Sequence, residues 1–425
     1  MENSSNHPIF AMKKSYIFNP ESDMALANGD ANYLPPRSAR RMAIDLAFLP
    51  AWYADNEDAV LIPGSDLLYY WSKTSTNKLI HTDIKWITEK EPIPNQPCSP
   101  WGWNPSLVKY LKQRGLSEEF LPSTEDMGTL RQLSGRHTAV EILRLTMQEL
   151  APVHPLVGTS ALCLTEESIA HEVGQWAETM LKAPWSSSGK GLRRGQGQYL
   201  PPLSGWCART LAQQGAVVVE PLYNKVKDFA MEFYSSGDGS PLKFVGYSSF
   251  VTDANGAYEG NRMMTDEAIE EELTAFVPRD TLHQVCTCLQ RLIGERVATL
   301  YRGYIGVDMM ICRTSADRQE EDNSLTPESD KREEEYRLHP CVEINLRMNM
   351  GVVAHILYER YVAPGCTGRF MVEYYPTPDA LREAHQQRTE EYPLQLSPEG
   401  RICQGYQPLT PVGKETQYIA WIIID

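Results

Sequence analysis

Late in the chain the stretch Glu343-Ile344-Asn345-Leu346-Arg347-Met348-Asn349-Met350-Gly351 alternates polar and apolar side chains before it reaches a turn. A β-strand sends successive side chains to opposite faces, so Glu343, Asn345 and Arg347 share one face and Val342, Ile344 and Leu346 the other. The polar face then carries a carboxylate, a carboxamide oxygen and a guanidinium within about 14 Å, at roughly 3.3 Å per residue. Hard oxygen donors beside a fixed cation suit Mg²⁺ carrying a nucleotide phosphate. An edge strand with a solvated polar face has the same pattern, so other parts of the chain must decide.

Three further stretches bear on the choice. Lys182 lies on a strand just ahead of Trp185-Ser186-Ser187-Ser188-Gly189-Lys190-Gly191-Leu192-Arg193-Arg194. Serine hydroxyls, glycine amides and cations in such a loop can wrap a polyphosphate. It is no Walker A loop: Pro184 stands where the first glycine belongs, and Gly191 where the final hydroxyl residue belongs. A lone Gly-Lys-Gly is also an ordinary surface loop. The apolar run Val217-Val218-Val219 leads into Glu220-Pro221-Leu222, which offers backbone groups and one acceptor to an adenine edge, or simply ends a strand. In Gly303-Tyr304-Ile305-Gly306-Val307-Asp308-Met309-Met310, Asp308 is the one charge in an apolar strand. A buried carboxylate needs a partner, either a metal or a nearby arginine. If the two late strands pair as a hairpin, Asp308 faces Glu343 and Asn345. With no basic residue between them, the two acids would call for a divalent cation.

The order Lys182, Ser/Gly loop, Glu220, Gly-Val-Asp308, Glu343-Ile-Asn345-x-Arg347 resembles the ATP-grasp superfamily over roughly residues 126–357. The resemblance implies two α+β subdomains clamping ATP. It implies that Lys182, Ser186, Ser187, Ser188, Gly189 and Lys190 hold the phosphates, and that Glu220 and the backbone near Leu222 meet the adenine. Asp228 and Glu232 are candidates for the ribose. Asp308, Glu343 and Asn345 would hold Mg²⁺ (or Mn²⁺), and Arg347 with Lys190 would steady the transferred phosphoryl group. The implied activity is an ATP- and Mg²⁺-dependent ligation of a carboxylate to an amine through an acyl phosphate. A hydroxyl-phosphorylating kinase and a non-catalytic ATP-binding module are the alternatives. No Ser-His-Asp or Cys-His set competes.

The elements that must position these residues follow from the rest of the chain. A length of 425 residues allows two or three domains, and 42% apolar with 22% charged residues is the composition of a globular protein. A net charge of −15 argues against nucleic acid as the main partner, since a phosphate backbone needs a basic footprint. The partners expected are small carboxylates and amines. No run approaches the roughly 20 apolar residues of a membrane span, and the first residues lack a secretory h-region. The nine cysteines are scattered, without zinc-ligand spacing, which suits reduced thiols and a cytoplasmic setting.

Strands alternate with helices up to about residue 125, predicting an N-terminal α/β domain over 13–125. Its strands are Ser15–Phe18 and Ala59–Ile62, and its helices Ser38–Leu49, capped by Ser38, and Asn104–Arg114. Between them Asn19–Pro36 is rich in turn formers. Its Asp23, Asn28, Asp30, Arg37, Arg40 and Arg41 would form part of an acceptor pocket, or a capped surface loop. Trp101 and Trp103 would line the same cleft, or pack. An ATP-grasp-like unit with antiparallel sheets is expected over 126–365, giving an α/β plus α+β chain. Its elements include a helical window Leu164–Trp176 capped by Thr165, and strands over 180–184, 216–220, 228–234, 243–250, 303–312 and 338–346. Residues 314–336, charged and nearly devoid of aliphatic side chains, read as a disordered insert joining a hairpin. A last segment, 366–425, ends in an apolar strand Tyr418–Ile424 and has no evident place.

Overall fold

The computed structural model describes residues 13–73, 79–80, 83–186, 191–252, 258–314 and 335–425. Its first sheet is wholly parallel: β1 (Ser15–Ile17), β2 (Ala59–Ile62), β3 (Lys85–Thr88) and β4 (Cys98–Pro100) lie in the order β3-β2-β1-β4. The turn-rich stretch after β1 is partly helical, over Ser22–Asn28, and Gly29 closes that helix at a φ of 76°. Only a residue tolerant of the left-handed region ends a helix this way without strain. The next helix runs Arg37–Asp45, followed by a 3₁₀ turn at Leu49–Trp52. Ser38 therefore sits inside the helix rather than capping it, because Pro36, extended at φ −55° and ψ 154°, delivers the chain one residue earlier. Asn104 does cap its helix, accepting from Leu107 N at 3.0 Å, and Thr165 caps the helix Glu166–Gly174.

The second sheet is antiparallel, with β5 (Ala161–Cys163), β6 (Thr179–Lys182), β7 (Leu192–Gly195) and β8 (Val217–Pro221) in the order β5-β8-β6-β7. Lys182 pairs with Val218 and Met180 with Glu220, so Lys182 and Glu220 are diagonal neighbours on one face.

The third sheet holds nine antiparallel strands. They are β9 (Lys225–Ser236), β10 (Lys243–Thr252), β11 (Tyr258–Met263), β12 (Arg302–Thr314), β13 (Glu335–Asn345), β14 (Gly368–Tyr374), β15 (Gln395–Leu396), β16 (Ile402–Pro408) and β17 (Tyr418–Ile424), in the order β13-β12-β9-β10-β11-β14-β17-β16-β15. β11 escapes a hydrophobic-pattern reading because one of its inward residues is Asn261, whose carboxamide is satisfied by Ser248 Oγ at 2.7 Å. Thr314, Glu335 and Tyr336, expected within the disordered insert, are strand residues. Residues 315–334 lie outside the described residues.

The C-terminal segment has a definite place. β14, β16 and β17 continue the large sheet, and their inner faces share a core with the first domain. Trp52 and Phe48 are fully buried there with Val352, Val353, Phe370 and Ile422. Trp52 Nε1 donates to Leu409 O at 2.7 Å, and the Asp45 carboxylate accepts from the amides of Gln417 and Tyr418 at 2.8 and 3.0 Å. All nine cysteines are free. Among the described residues no helix is long and apolar enough to cross a membrane.

Because Trp52 joins the first domain to the last strands, Trp52→Ala is expected to lose about 3–5 kcal/mol of stability, read as a lowered urea midpoint. An unchanged midpoint would show that this junction does not hold the two regions together.

Candidate functional site

Antiparallel pairing of β12 with β13 sets Asp308 directly opposite Glu343, and Gly306 opposite Asn345. On the other side of β12, Asp308 pairs with Ala230, Met310 with Asp228 and Gly306 with Glu232. Since side chains alternate along a strand, Asp228, Glu232, Asp308, Glu343 and Asn345 all project from one face. The sheet thus gathers four carboxyl groups, and their surroundings set their charges apart.

Burial raises the Asp308 pKa to about 7, with Glu343 adding to the rise and Arg347 and the Asn345 carboxamide opposing it. Glu232 is 1% exposed and is pushed up to about 8 by burial, against the Asn349 carboxamide that donates to it at 2.8 Å. Asn349 also caps the helix Met350–Tyr361, accepting from Val352 N at 2.9 Å. A Cβ at Gly351 would collide with the Glu232 carboxylate and the Ser248 hydroxyl, and one at Gly306 with the Asn349 amide. Glycine at both positions lets the helix start close against the sheet. Asp228 is held by Lys225 and by the Thr252 hydroxyl, the latter at 3.0 Å.

Two guanidiniums meet this acidic face. Arg136, at the start of the helix Arg136–Leu150, reaches both Glu343 oxygens at 2.9 and 3.0 Å, the Ala183 carbonyl at 2.6 Å and Ser186 Oγ at 2.8 Å. Its Nε is buried without a hydrogen-bond partner among the described residues. Arg347 leans the other way. Its Nε donates to both Asp23 oxygens at 2.9 and 2.8 Å, Nη2 to Asn345 Oδ1 at 2.9 Å and Nη1 to Met348 O at 3.1 Å. The expectation that no base stands beside the two acids is therefore corrected. Arg136 compensates Glu343 from the first turn of the helix Arg136–Leu150, some 200 residues earlier, in a stretch the sequence presents as helical over 126–150 with a break at Ser134-Gly135-Arg136. No periodicity signals that pairing; a guanidinium placed in a first turn just after a glycine was the one available cue.

Lys182 and Glu220 form an ion pair with each side chain 7% exposed. They line a second hollow with Arg136, Ser160, Val218 and Cys341. Nearby His339 is fully buried, with both ring nitrogens unpartnered among the described residues, and burial with the Lys182 charge lowers its pKa to about 3. The Leu222 amide donates to Glu178 O at 3.0 Å. Ser186 borders the main cleft. Ser187, Ser188, Gly189 and Lys190 lie outside the described residues.

The main cleft lies where the first domain meets the two sheets, with Ser22, Asp23, Trp103, Trp185, Glu343 and Arg347 among its walls. Of the acceptor-pocket candidates, Asp23 is in it. Arg41 is not; it pairs with Asp45. Asn28 and Asp30 serve local turns. Trp103 lines the cleft, whereas Trp101 is buried edge-on against Phe18 at 4.9 Å. The donor set of Asp308, Glu343 and Asn345 consists of hard oxygens with lone pairs to spare beyond the arginine contacts. It fits a cation such as Mg²⁺ by chemistry, although among the described residues no three His, Cys, Asp or Glu side chains converge as a ready cage.

No family model matches the chain, and no curated protein does. Solved structures do. The biotin carboxylase of Campylobacter jejuni, in a β-γ-ATP complex, aligns at a TM-score of 0.50 and 12% identity over 98% of this chain and 88% of its own. The N5-carboxyaminoimidazole synthetase of Staphylococcus aureus with ADP aligns at 0.45 and 13% over 98% and 94%. The Aspergillus clavatus synthase with ADP and the aminoimidazole ribonucleotide aligns at 0.45 and 11% over 98% and 94%. At these identities the likeness concerns the fold, and the biotin carboxylase match carries it.

A carboxyl group with a higher pKa folded than unfolded binds more protons in the folded state. Stability therefore falls as pH rises from the unfolded value of about 4.3 toward the folded one. For Glu232 that window closes at about 8, and Asp308 acts in the same direction. Glu232→Gln is expected to flatten the fall in urea midpoint between pH 5 and pH 8.5, measured with chelator present. An unaltered slope would mean that Glu232 is ionised throughout.

Proposed function

This chain has the ATP-grasp fold, and we propose that it uses it as an ATP- and Mg²⁺-dependent ligase joining a carboxylate to an amine. The observation that supports the reading best is the cross-strand pair Asp308–Glu343 on the acidic face, set between the two guanidiniums of Arg136 and Arg347 and beside the Lys182–Glu220 pair. Such an arrangement handles a polyphosphate and the charge that gathers on a phosphoryl group in transfer.

The steps follow from the chemistry. A substrate carboxylate oxygen attacks the γ-phosphorus; the bond to the ADP oxygen breaks, and its electron pair leaves on ADP. An amine nitrogen then attacks the acyl carbon. The acyl carbon–oxygen bond breaks, orthophosphate leaves with that pair, and the nitrogen gives its surplus proton to phosphate or solvent. Asp308, Glu343 and Asn345 would hold Mg²⁺, which when bound would neutralise phosphate charge. Lys182, released from Glu220, and Arg136 would hold phosphate oxygens. Arg347 would neutralise the transferred group. Trp185 and Ser186, at the end of β6, would help close the site against water that would hydrolyse an acyl phosphate.

Orthophosphate release from ATP, screened over small carboxylates with an amine present, tests the reading. Lys182→Ala and Asn345→Ala are each expected to cut the rate by about 100-fold or more. An unaffected rate in either variant would remove the assignment. Phosphate appearing on a substrate hydroxyl with no orthophosphate released would make the chain a kinase instead.

A further inference from the structure

The pair formed by Asp23 and Arg347 is unusual in what it joins. Asp23 belongs to the helix Ser22–Asn28 of the first domain, and Arg347 follows β13. Both line the main cleft and both are only partly covered, at 25% and 20% exposed. The Asp23 carboxylate fills the Nε and Nη2 side of the guanidinium, with contacts of 2.8–2.9 Å, which is the way a guanidinium takes a ligand carboxylate. Beside it Ser22, 2% exposed, lines the same cleft with its hydroxyl unpartnered among the described residues. A buried hydroxyl without a partner costs free energy that a ligand can return.

We propose that this cleft takes an α-amino acid with an apolar side chain, its carboxylate replacing Asp23 on Arg347 and its ammonium taken by the freed Asp23. The inference rests on the ligase reading above, of which it names the carboxylate substrate. Charge balance decides between a zwitterion and a plain acid. A plain carboxylate that displaced Asp23 would strand it in a cleft that already contains Glu343, and an unpaired carboxylate in such a setting is costly. A ligand bearing a cation next to its carboxylate re-pairs both ends.

The apolar part of the ligand has matching walls. Trp103 and Trp185 both border the cleft. Trp185 is fixed there, its Nε1 donating to Arg131 O at 2.8 Å and its ring covered on one side by the Arg131 guanidinium at 4.3 Å. Arg131 in turn binds the carbonyls of Leu26 and Ala27 at 2.8 and 2.9 Å, so the helix that carries Asp23 is tied to the wall that faces it. The chemistry is directed as well. An ammonium held by Asp23 has no lone pair and is not a nucleophile, whereas the carboxylate on Arg347 lies next to the phosphate-handling groups. The amino acid is thus the partner activated at its carboxylate, and the amine comes from a second molecule.

The test titrates the full chain, with MgADP present, with L-alanine, L-valine, L-leucine and L-phenylalanine. Each is compared with its N-acetyl derivative, its deaminated acid and its decarboxylated amine. At least one free amino acid is expected to bind about 10- to 100-fold more tightly than its three analogues. Asp23→Asn is expected to abolish the preference for the amino acid over the deaminated acid. A purely structural salt bridge would change the melting temperature but not that preference. Equal binding of amino acid and deaminated acid by the wild type, or binding of none of the four series, overturns the inference. Orthophosphate release with plain acids alone overturns it while sparing the ligase reading. Amino-acid binding without release on any carboxylate and amine pair supports the cleft assignment and fails the ligase reading.

Discussion

Two carboxylates facing each other across a pair of neighbouring strands, one of them largely dry, cannot both stay charged without cations close by. That constraint organises this molecule. Asp308 and Glu343 are set opposite by the β12–β13 register, and the strands cannot slip by one residue without sending the apolar residues Val307 and Ile344 to the polar face. Positive charge must therefore come from elsewhere. Arg136 brings it from a helix ahead of the second sheet, and Arg347 stands just beyond the end of β13, where it is held by the first domain through Asp23.

Each guanidinium adds a polar link between parts of the chain that also share apolar packing. Arg136 spans Glu343 on the large sheet and the Ala183 carbonyl and Ser186 at the end of β6. It links the second and third sheets through polar atoms. Arg347 spans the large sheet and the first domain. Because Arg347 lines the main cleft and Arg136 the second hollow, a ligand entering either can compete for the same donors. The ion pairs that stabilise the ligand-free arrangement are then also the groups a ligand would engage, which is the usual reason to keep buried charge where an apolar contact would be cheaper.

Glu232 shows a different solution to the same crowding. It stands near Asp308 but is given a carboxamide donor, a helix start and almost no water, so burial keeps its proton on. Gly351 and Gly306 make the space for it. Burial thus raises both Glu232 and Asp308 on this face, an effect of surroundings rather than of residue type.

Local rules sufficed where the physics is local. Alternation put Glu343 and Asn345 on one face, although the strand ends at Asn345 and Arg347 lies beyond it; Asn104 and Thr165 announced helix starts, and the apolar strands on either side of residues 315–334 paired as a hairpin. Lys182, Glu220 and Asn345 fall at or next to strand ends, where an apolar run giving way to polar residues is a local signal. What sequence could not carry is everything settled by residues hundreds of positions apart. The Arg136–Glu343 and Asp23–Arg347 pairs follow no spacing rule, since a charge pair forms wherever packing brings its members together. β11 stayed hidden because its buried Asn261 is satisfied by a neighbour on β10. The last segment stayed unplaced because Trp52, Asp45 and Phe370 meet only once the core has closed. Residue type and period decide which elements form; which charges end up facing which is decided by the packing of those elements, because only there are the distances short and the water gone.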